Sequence, residues 1–564
     1  MTVTLAERSA DLAALRQRWY REGFFGDRTF GTEIERAAKD FPELGFVFAS
    51  ETEQRRVNFP EVYELARAAA GGLQRLGVGP GDIVAVQVPN RLELVVSYYA
   101  IFLTGAAVLP ITHIYGPSEV SFILRQSGAR VLIVPDRWRS IDYAERLGQL
   151  CDVPALEHVV MLGGAAGAGV RLGDGRAVEG VGWQELTSGP DCEPVSVASD
   201  DVCTMIYTSG TTSSPKGVQH THNSLLAQMR TVAPMLGLRP GECKLVPWPA
   251  GHVAGLIGIC AGLVGGFDTV LMDRWDVELA IRLIERHRCA VTSGTPMHIT
   301  ALLDAAAASG RDTSSLRYMQ VGAANVAPQL VRRADAAGLS IARAYGSTEH
   351  PTSASSDPGA PADKRAGTDG VPRYGDEIII VDFTGEQLPI GQEGEIATRG
   401  PSQFIGYKDA ELNVEAFLPG GWYLTGDVGR LDADGYLTVT DRRKDIIIRG
   451  GENIASKEVE DILATHPKVL EAAVVAEPDA TYGERVAAFV LLQQGQTLEL
   501  GEVIEHFTAA GVARQKTPER LYVASELPRT PSGKVQKFAL RERLRERLRE
   551  QARAADASTP QPHS

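Results

Sequence analysis

A loop rich in hydroxyl groups and glycine follows a short apolar strand predicted over Val202–Tyr207. The loop contains Thr208, Ser209, Gly210, Thr211 and Thr212, and it ends at Lys216 and Gly217. Glycine permits tight backbone turns, and the N–H groups that such a loop exposes bind phosphate oxygens. Because the hydroxyls add donors and Lys216 adds positive charge, the loop suits a triphosphate. Its composition is equally that of a plain surface loop, and it lacks the Walker A spacing.

A second group of reactive side chains ends another predicted strand. Its members are Tyr345, Gly346, Ser347, Thr348 and Glu349. The tyrosine ring can stack on a purine, and Thr348 can form a hydrogen bond with a phosphate. Glu349 offers the carboxylate that Mg²⁺ takes in addition to substrate phosphates. An isolated glutamate would be a solvated surface residue, so the grouping is what predicts a nucleotide site. We place the next residue, His350, at its rim.

Two further segments offer surfaces that a nucleotide needs. The strand predicted from Met319 ends in the small residues Gly322, Ala323 and Ala324, beside which a flat ring could approach the backbone. Tight packing of two layers would explain them equally well. We place Asp427 at a strand end, where an acidic residue can accept both hydroxyls of a ribose. As a bare Thr-Gly-Asp sequence it would indicate only a turn.

Two loops carry groups suited to a second substrate and to its activation. A Pro/Gly-rich loop runs from Trp248 to His252, and Thr295-Pro296 follows another predicted strand. A lone histidine is by default a structural residue. A second glycine–lysine loop, at 528–535, carries Lys534.

In their order and spacing, these motifs resemble those of the adenylate-forming enzymes, which include acyl-CoA synthetases, luciferases and adenylation domains of peptide synthetases. The resemblance covers about residues 30–540, and Ser213 departs from it because the family has glycine there. It implies that a carboxylate attacks the α-phosphorus of ATP, and that a thiol then takes the acyl group from the adenylate. Positioning and neutralisation of charge would supply most of the catalysis.

The resemblance also implies roles for the matching residues. Catalysis would involve Thr348, Lys534 and Glu349, the last as the Mg²⁺ ligand. The nucleotide would bind the phosphate loop (Thr208, Ser209, Gly210, Thr211, Thr212 and Lys216), Gly322, Ala323, Ala324, Tyr345, Gly346, Asp427 and Arg442. The acyl pocket would include His252, Thr295, Pro296 and Ser347. Domain rotation and the CoA channel would involve Lys444, Gly450 and Gly451.

The expected substrate is a carboxylic acid without an amino group. Amino-acid-activating relatives have an aspartate where this chain has the segment Trp248–His252, which contains no acid, so an α-ammonium would be buried unpaired. The chain most resembles cyclohexanecarboxylate-type and medium-chain acyl-CoA synthetases, which implies an alicyclic, aromatic or medium-chain fatty acid, with ATP, Mg²⁺ and CoA.

Two alternatives remain open at this point, and a third is disfavoured. A carrier-protein phosphopantetheine arm could replace free CoA as the acceptor. A luciferase-like oxygenase shares the first step. A nucleotide-binding module without catalysis would lack Lys534 or Glu349, and both are present.

The elements that must position these residues alternate between helix and strand. A helix from Asn58 to Leu76, a strand at Ile83–Val88, a helix at Leu92–Thr104 and a strand at Val131–Val134 indicate βαβ units with parallel sheets. We therefore predict an α/β fold whose large N-terminal domain, 1–440, contains stacked βαβ sheets and a small β-barrel-like subdomain. A hinge at 441–445, a mobile small α+β domain at 446–540, and a charged helix with a disordered tail at 541–564 would follow.

Composition narrows the class of protein. The 564 residues have a formal net charge of −14, which argues against a nucleic-acid partner. The six cysteines show no C-x-x-C spacing, as expected of a reduced cytoplasmic protein without a zinc site. No signal peptide and no run of 18 apolar residues is recognised. A homodimer is left open.

Overall fold

The computed structural model describes residues 4–163, 169–208, 215–322, 326, 328–382, 384–442, 446–528, 535 and 537–558. These residues form two compact units. The first contains the described residues of 4–208 and 216–442, and the second contains residue 215 and the described residues of 446–558.

The helices of the described residues are α1 (Leu5–Arg21), α2 (Phe30–Asp40), α3 (Phe59–Arg75), α4 (Leu92–Leu103), α5 (Pro117–Ser127), α6 (Tyr143–Leu147), α7 (Trp183–Thr187), α8 (His222–Leu236), α9 (Val253–Gly265), α10 (Val277–His287), α11 (Pro296–Ser309), α12 (Pro328–Ala336), α13 (Ala362–Gly367), α14 (Leu412–Ala416), α15 (Ser456–Ala464), α16 (Leu500–Ala509) and α17 (Lys537–Ser558). A 3₁₀ helix spans Arg514–Lys516.

The strands are β1 (Gly45–Ala49), β2 (Gln54–Asn58), β3 (Ile83–Val86), β4 (Ala107–Pro110), β5 (Val131–Val134), β6 (Arg137–Trp138), β7 (Ile141–Asp142), β8 (His158–Met161), β9 (Val170–Arg171), β10 (Ala177–Gly182), β11 (Val202–Thr208), β12 (Lys216–Thr221), β13 (Cys243–Val246), β14 (Asp268–Met272), β15 (Val291–Gly294), β16 (Tyr318–Val321), β17 (Ser340–Tyr345), β18 (Ala354–Ser355), β19 (Val371–Pro372), β20 (Glu377–Val381), β21 (Gly394–Arg399), β22 (Gly406–Tyr407), β23 (Phe417–Leu418), β24 (Trp422–Leu431), β25 (Leu437–Arg442), β26 (Ile446–Arg449), β27 (Glu452–Ala455), β28 (Val469–Asp479), β29 (Gly483–Leu492) and β30 (Arg520–Val523).

Two nine-stranded sheets form the frame of the first unit. Their orders are β19-β18-β17-β16-β15-β13-β14-β1-β2 and β22-β12-β11-β4-β3-β5-β8-β10-β9. The central strands of both sheets pair in parallel, whereas the strands towards the ends of each sheet, such as β2, β12 and β18, pair antiparallel. Parallel strands bring their carboxyl ends to one edge of the sheet, where ligand sites of α/β sheets form.

Helix α4 lies in the largest core of this unit. Its sequence is apolar on all sides, and every residue except Glu93 is buried, as expected of a helix without a polar face. Helix α3 packs against α4 and begins with a capping box, in which the Asn58 side chain accepts from the Glu61 N–H and Glu61 accepts from the Asn58 N–H. Two otherwise unpaired donors are thereby satisfied at the point where strand β2 becomes helix.

A five-stranded antiparallel sheet completes the first unit, with the order β20-β21-β24-β23 and β25 paired to β24. The second unit contains the sheet β27-β26-β29-β28, with β30 parallel to β29. Helices α15 and α16 bury their apolar faces on one side of this sheet through Val459, Leu463 and Phe507. Helix α17 covers the other side through Leu540 and Leu544.

The predicted α/β class is confirmed, with a large N-terminal sheet unit and a smaller C-terminal one. Gly450 and Gly451 lie between β26 and β27, which pair as a hairpin. The two units divide inside the predicted hinge. Residues 443–445 and the end of the predicted tail lie outside the described residues, so hinge motion and tail disorder stay predictions. Within the described residues, no helix combines the length and apolar character needed to cross a membrane.

Candidate active site

The predicted phosphate loop joins two paired strands. Thr208, the last residue of β11, lies opposite Lys216, the first residue of β12, in an antiparallel register. Both residues are half-buried. Ser209, Gly210, Thr211 and Thr212 lie outside the described residues. The structure therefore fixes the two ends of the loop, with its lysine at the start of β12.

Glu349 is a buried carboxylate held by two contacts with one short segment. Its backbone carbonyl accepts a hydrogen bond from the Phe404 N–H at 2.7 Å, and its Oε1 accepts one from the Tyr407 hydroxyl at 2.8 Å. Tyr407 in turn lies beneath Lys216, whose Nζ is 4.6 Å from the ring centroid. The predicted metal ligand and the loop lysine thus contact the same tyrosine. Burial and the nearby carboxylate raise the pKa of Tyr407 far above its usual value, which keeps the phenol a donor.

The predicted adenine and ribose residues are joined by a hydrogen bond. The Tyr345 hydroxyl, at the end of β17, donates to Asp427 Oδ2 at 2.9 Å. Burial, and then the Asp427 carboxylate, raise the pKa of Tyr345 well above its usual value. Asp427 lies opposite Arg442 in the β24–β25 register, although the Arg442 side chain is not among those described.

The expectation that Asp427 ends a strand is wrong. It lies inside β24, which continues to Leu431. Gly426 before it has a φ of 76°, and the register with β25 shifts after Val428. A bulge of this kind redirects side chains inside a strand, so an acidic residue can be presented without the strand ending.

The segment that contains Thr348 is fixed by two buried histidines. His220 Nε2 lies 2.7 Å from the Thr348 carbonyl, and since a carbonyl only accepts, Nε2 carries the proton. Burial lowers the pKa of His220 to about 4. His350 was expected at the rim but is buried, with Nε2 3.0 Å from Asp376 Oδ1 and Nδ1 2.9 Å from the Thr398 hydroxyl. His350 therefore holds the segment from its buried side.

The remaining residues that were predicted to bind the nucleotide lie at two neighbouring strand ends. Gly322 follows β16, and its N–H donates to the Gly294 carbonyl at 3.1 Å. Gly346 follows β17 and is exposed. Ala323 and Ala324 lie outside the described residues, so the small wall predicted for adenine is described only at Gly322.

The loop from Trp248 to His252 is held by helix α4 and the residues before it. Asn90 donates from Nδ2 to the Trp248 carbonyl at 2.8 Å and accepts from the Ala250 N–H at 2.9 Å, while the Tyr98 hydroxyl donates to the Ala250 carbonyl at 3.1 Å. A Cβ at Gly251 would come within 2.4 Å of the Thr112 backbone. The loop is therefore pressed against the core, and half-buried His252 begins helix α9 as its N-cap.

A cluster of rings lies beside Thr295 and Pro296, at the carboxyl ends of three neighbouring strands. Trp248 follows β13, Trp275 follows β14, and His298 lies in the first turn of α11 after β15. The His298 ring centroid is 4.4 Å from that of Trp275 and 5.9 Å from that of Trp248. Trp248 Nε1 also donates to the Ser293 hydroxyl at 2.9 Å. We call Trp248, Trp275 and His298 the ring cluster.

Thr295 links this ring cluster to the predicted acyl pocket. Its backbone N–H donates to His298 Nδ1 at 3.2 Å, and its hydroxyl lies 2.8 Å from the same nitrogen. Burial lowers the pKa of His298 to about 4, so the ring is neutral near pH 7. Ser347, the fourth predicted pocket residue, has its N–H bonded to the His350 carbonyl at 3.0 Å.

In the second unit, Gly450 and Gly451 form the turn between β26 and β27. Their φ values are 57° and 89°, a backbone conformation that favours glycine. The Gly450 N–H donates to the Tyr482 carbonyl at 2.8 Å. Lys444 and Lys534 lie outside the described residues, and their roles stay predictions.

Comparison with known proteins identifies the family. Residues 34–408 match the AMP-binding enzyme family, and residues 458–534 match the AMP-binding enzyme C-terminal domain. The chain belongs to the AMP-binding enzymes.

Relatives of this AMP-binding enzyme span nearly its whole length. The medium-chain fatty-acid–CoA ligase of Escherichia coli (strain K12) is 33% identical over 96% of the chain and 94% of that protein. A salicylyl-CoA synthase / salicylate adenylyltransferase of a Streptomyces species is 33% identical over 93% of the chain and 95% of that protein. A solved double mutant of o-succinylbenzoate CoA synthetase from Bacillus subtilis has a TM-score of 0.78 and 26% identity, covering 92% of the chain and 99% of that structure.

These relatives confirm the predicted class of enzyme, an AMP-forming acid–thiol ligase with acyl-CoA ligase activity. ATP and CoA are substrates of the CoA ligases in this family.

The residues present fit a magnesium ion that is bound together with ATP. Glu349 is 7% exposed and has one carboxylate oxygen bonded to Tyr407, while Oε2 makes no hydrogen bond with any residue that the structure describes. No group of three or more potential ligands occurs in the described part of the chain. Because Mg²⁺ is commonly held by one or two carboxylates plus substrate phosphates, a single carboxylate beside the phosphate loop suffices.

Sequence reasoning missed Tyr407, His220 and the ring cluster. Tyr407 belongs to a two-residue strand, and only its pairing with β12 brings it to the phosphate loop. His220 is separated from Thr348 by 128 residues. The one local signal is that a tryptophan follows each of two short apolar segments, which the structure shows to be β13 and β14.

Proposed function

We propose that this enzyme activates a carboxylic acid that lacks an α-amino group, and that it then transfers the acyl group to CoA. The ring cluster beside Thr295 is the observation that supports the class of acid. It presents aromatic faces and a neutral imidazole, and the adjoining loop from Trp248 to His252 contains no carboxylate. An α-ammonium would lose its hydration there without gaining a partner.

The acid that suits this surface is ring-bearing or has a medium-length alkyl chain. Aromatic side chains favour flat or apolar groups through dispersion and through the geometry of ring pairs. The names of the relatives agree with this choice, since one is a medium-chain fatty-acid–CoA ligase, one a salicylyl-CoA synthase and one an o-succinylbenzoate CoA synthetase. The proposal therefore covers alicyclic, aromatic and medium-chain fatty acids.

In the adenylation step, the protein would hold ATP from three sides. Lys216 and the loop before it would bind the β- and γ-phosphates, Asp427 would accept the ribose hydroxyls, and Tyr345 would stack on adenine. Bound Mg²⁺, held by Glu349, would neutralise phosphate charge. Lys534 would bridge the acid carboxylate and the α-phosphate as negative charge moves onto the pyrophosphate, which is the kind of transition-state contact that preorganised charges stabilise most.

The second step would use another part of the second unit. The turn at Gly450 and Gly451 has no side chains, so the thin pantetheine arm of CoA could pass along its backbone. Lys534 and this turn serve different steps, and we propose that the second unit rotates about Lys444 between them.

Pyrophosphate release with pairs of matched acids tests the proposed substrate class. We expect release with 3-phenylpropanoate, cyclohexanecarboxylate, benzoate and octanoate. Phenylalanine and 1-aminocyclohexanecarboxylate, which add only an α-amino group, should give at least a hundredfold less, because a desolvated unpaired charge costs several kcal/mol. Equal rates for 3-phenylpropanoate and phenylalanine would contradict the proposal.

A further inference from the structure

Neither step of the proposed reaction gives Tyr407 a role. It lies in β22, where Val218 of β12 is its cross-strand partner. Its N–H donates to Asn413 Oδ1 at 2.8 Å, and its carbonyl accepts from Asn413 Nδ2 at 3.2 Å. Only 4% of the residue is exposed. Its backbone is therefore fixed on both sides.

The ring of Tyr407 is held as firmly as its backbone. Phe404 contacts it edge-on, with ring centroids 5.0 Å apart, and Phe404 also stacks on Phe417 at 5.3 Å. The Tyr423 hydroxyl lies 3.4 Å from the Tyr407 hydroxyl. The packed ring holds its hydroxyl beside Glu349 Oε1, which accepts its shorter hydrogen bond.

Two groups that would contact the phosphates and their metal meet at this ring. The hydroxyl donates to Glu349 at 2.8 Å, and the Lys216 ammonium lies over the ring face at 4.6 Å from its centroid. Because the phenol occupies Oε1, the carboxylate has one orientation, with Oε2 left for a cation. The ring face offers Lys216 a cation–π contact that does not consume its N–H donors.

We infer that Tyr407 is a positioning residue for the metal: its hydroxyl fixes the Glu349 carboxylate in the orientation that receives Mg²⁺, while its ring supports Lys216. This inference rests on the proposed role of Glu349. Tyr407 itself contacts neither metal nor phosphate, so its hydroxyl contributes to ATP binding only when the metal is present.

Calorimetric titration of the full chain with ATP, without acid so that no turnover occurs, tests this inference. The quantity of interest is the metal ratio, defined as the Kd of ATP in EDTA divided by the Kd of ATP with Mg²⁺. Tyr407→Phe keeps the ring and removes the hydroxyl. We expect the metal ratio to fall about tenfold, because a hydrogen bond to a charged acceptor typically contributes that much to an affinity. The Kd in EDTA should stay within twofold of wild type.

Two further variants separate the two contacts of Tyr407. Tyr423→Phe makes the same chemical change within the same group of rings but leaves the Glu349 bond, so its metal ratio should stay within twofold of wild type. Tyr407→Leu removes both hydroxyl and ring, and it should also weaken ATP in EDTA by about threefold through the lost Lys216 contact. Melting temperatures establish that each variant is folded.

Glu349→Gln distinguishes failure of this inference from failure of the proposed metal site. We expect it to reduce the metal ratio more than Tyr407→Phe does, and the double variant should match Glu349→Gln alone. If Glu349→Gln leaves the metal ratio unchanged, the proposed metal ligand is wrong. If Glu349→Gln lowers the metal ratio and Tyr407→Phe does not, the metal ligand stands and the positioning role is overturned. The same conclusion follows if Tyr407→Phe weakens ATP binding as much in EDTA as it does with Mg²⁺.

Discussion

Acid should destabilise the first unit through His298, a histidine of the ring cluster. Burial lowers its pKa to about 4, whereas an unfolded histidine titrates near 6.5. Between these values the unfolded chain binds a proton that the folded chain refuses, so stability is lost as pH falls from about 6.5 towards 4. For one such group the loss between pH 7 and pH 5 is about 2 kcal/mol.

The measurement is urea unfolding at pH 7 and pH 5, followed by tryptophan fluorescence. All six tryptophans precede residue 442, so the signal reports on the first unit alone. His298→Gln should unfold more easily at pH 7 because the contact with Thr295 changes. Its loss of stability between pH 7 and pH 5 should nevertheless be about 2 kcal/mol smaller than that of wild type.

The matched control is His506→Gln, which changes a histidine of the second unit. Its pH dependence in the fluorescence signal should equal that of wild type. If His298→Gln retained the full wild-type loss of stability, the imidazole would not be buried in neutral form, and the apolar character assigned to this wall of the pocket would be wrong.

Three other outcomes are expected. Asp427→Ala should weaken ATP binding by about tenfold with little change in the KM for the acid, as measured by calorimetry and kinetics; unchanged ATP affinity would remove Asp427 from the site. Lys534→Ala should slow adenylation by a hundred- to a thousandfold but still convert a supplied acyl-adenylate to acyl-CoA, and Gly451→Trp should do the reverse; equal effects on both half-reactions would refute the two-step assignment. Gly251→Ala should lower the melting temperature by several degrees, because its Cβ would meet the Thr112 backbone at 2.4 Å; a wild-type melting temperature would show that the loop can shift.

Local sequence patterns predicted an element and its ends correctly where these depend on the residues of that one strand or helix alone. Asn58 with Glu61 marks the start of α3, and an apolar run ending at Tyr207 marks most of β11. The pairing of Thr208 with Lys216 was not predicted, because the strand that begins at Lys216 was not recognised in the sequence.

Positions that depend on distant pairing could not be predicted in this way. Tyr407 reaches Glu349 only because β22 adds to the edge of the sheet that contains the phosphate loop. Asp427 was misplaced because a register shift inside β24 leaves no clear mark in the sequence beyond Gly426. His350 was misplaced because its partner, Asp376, lies 26 residues further along the chain.

We propose that this one chain carries out both acid activation and thioester formation, with free CoA as the acceptor. The most direct measurement is mass spectrometry of a reaction containing ATP, Mg²⁺, CoA and 3-phenylpropanoate or cyclohexanecarboxylate. We expect AMP and acyl-CoA in equal amounts. Neither product should form without ATP, and no acyl-CoA should form without CoA. Acyl-adenylate that accumulates and is transferred only to a phosphopantetheine-bearing carrier protein, never to CoA, would contradict it.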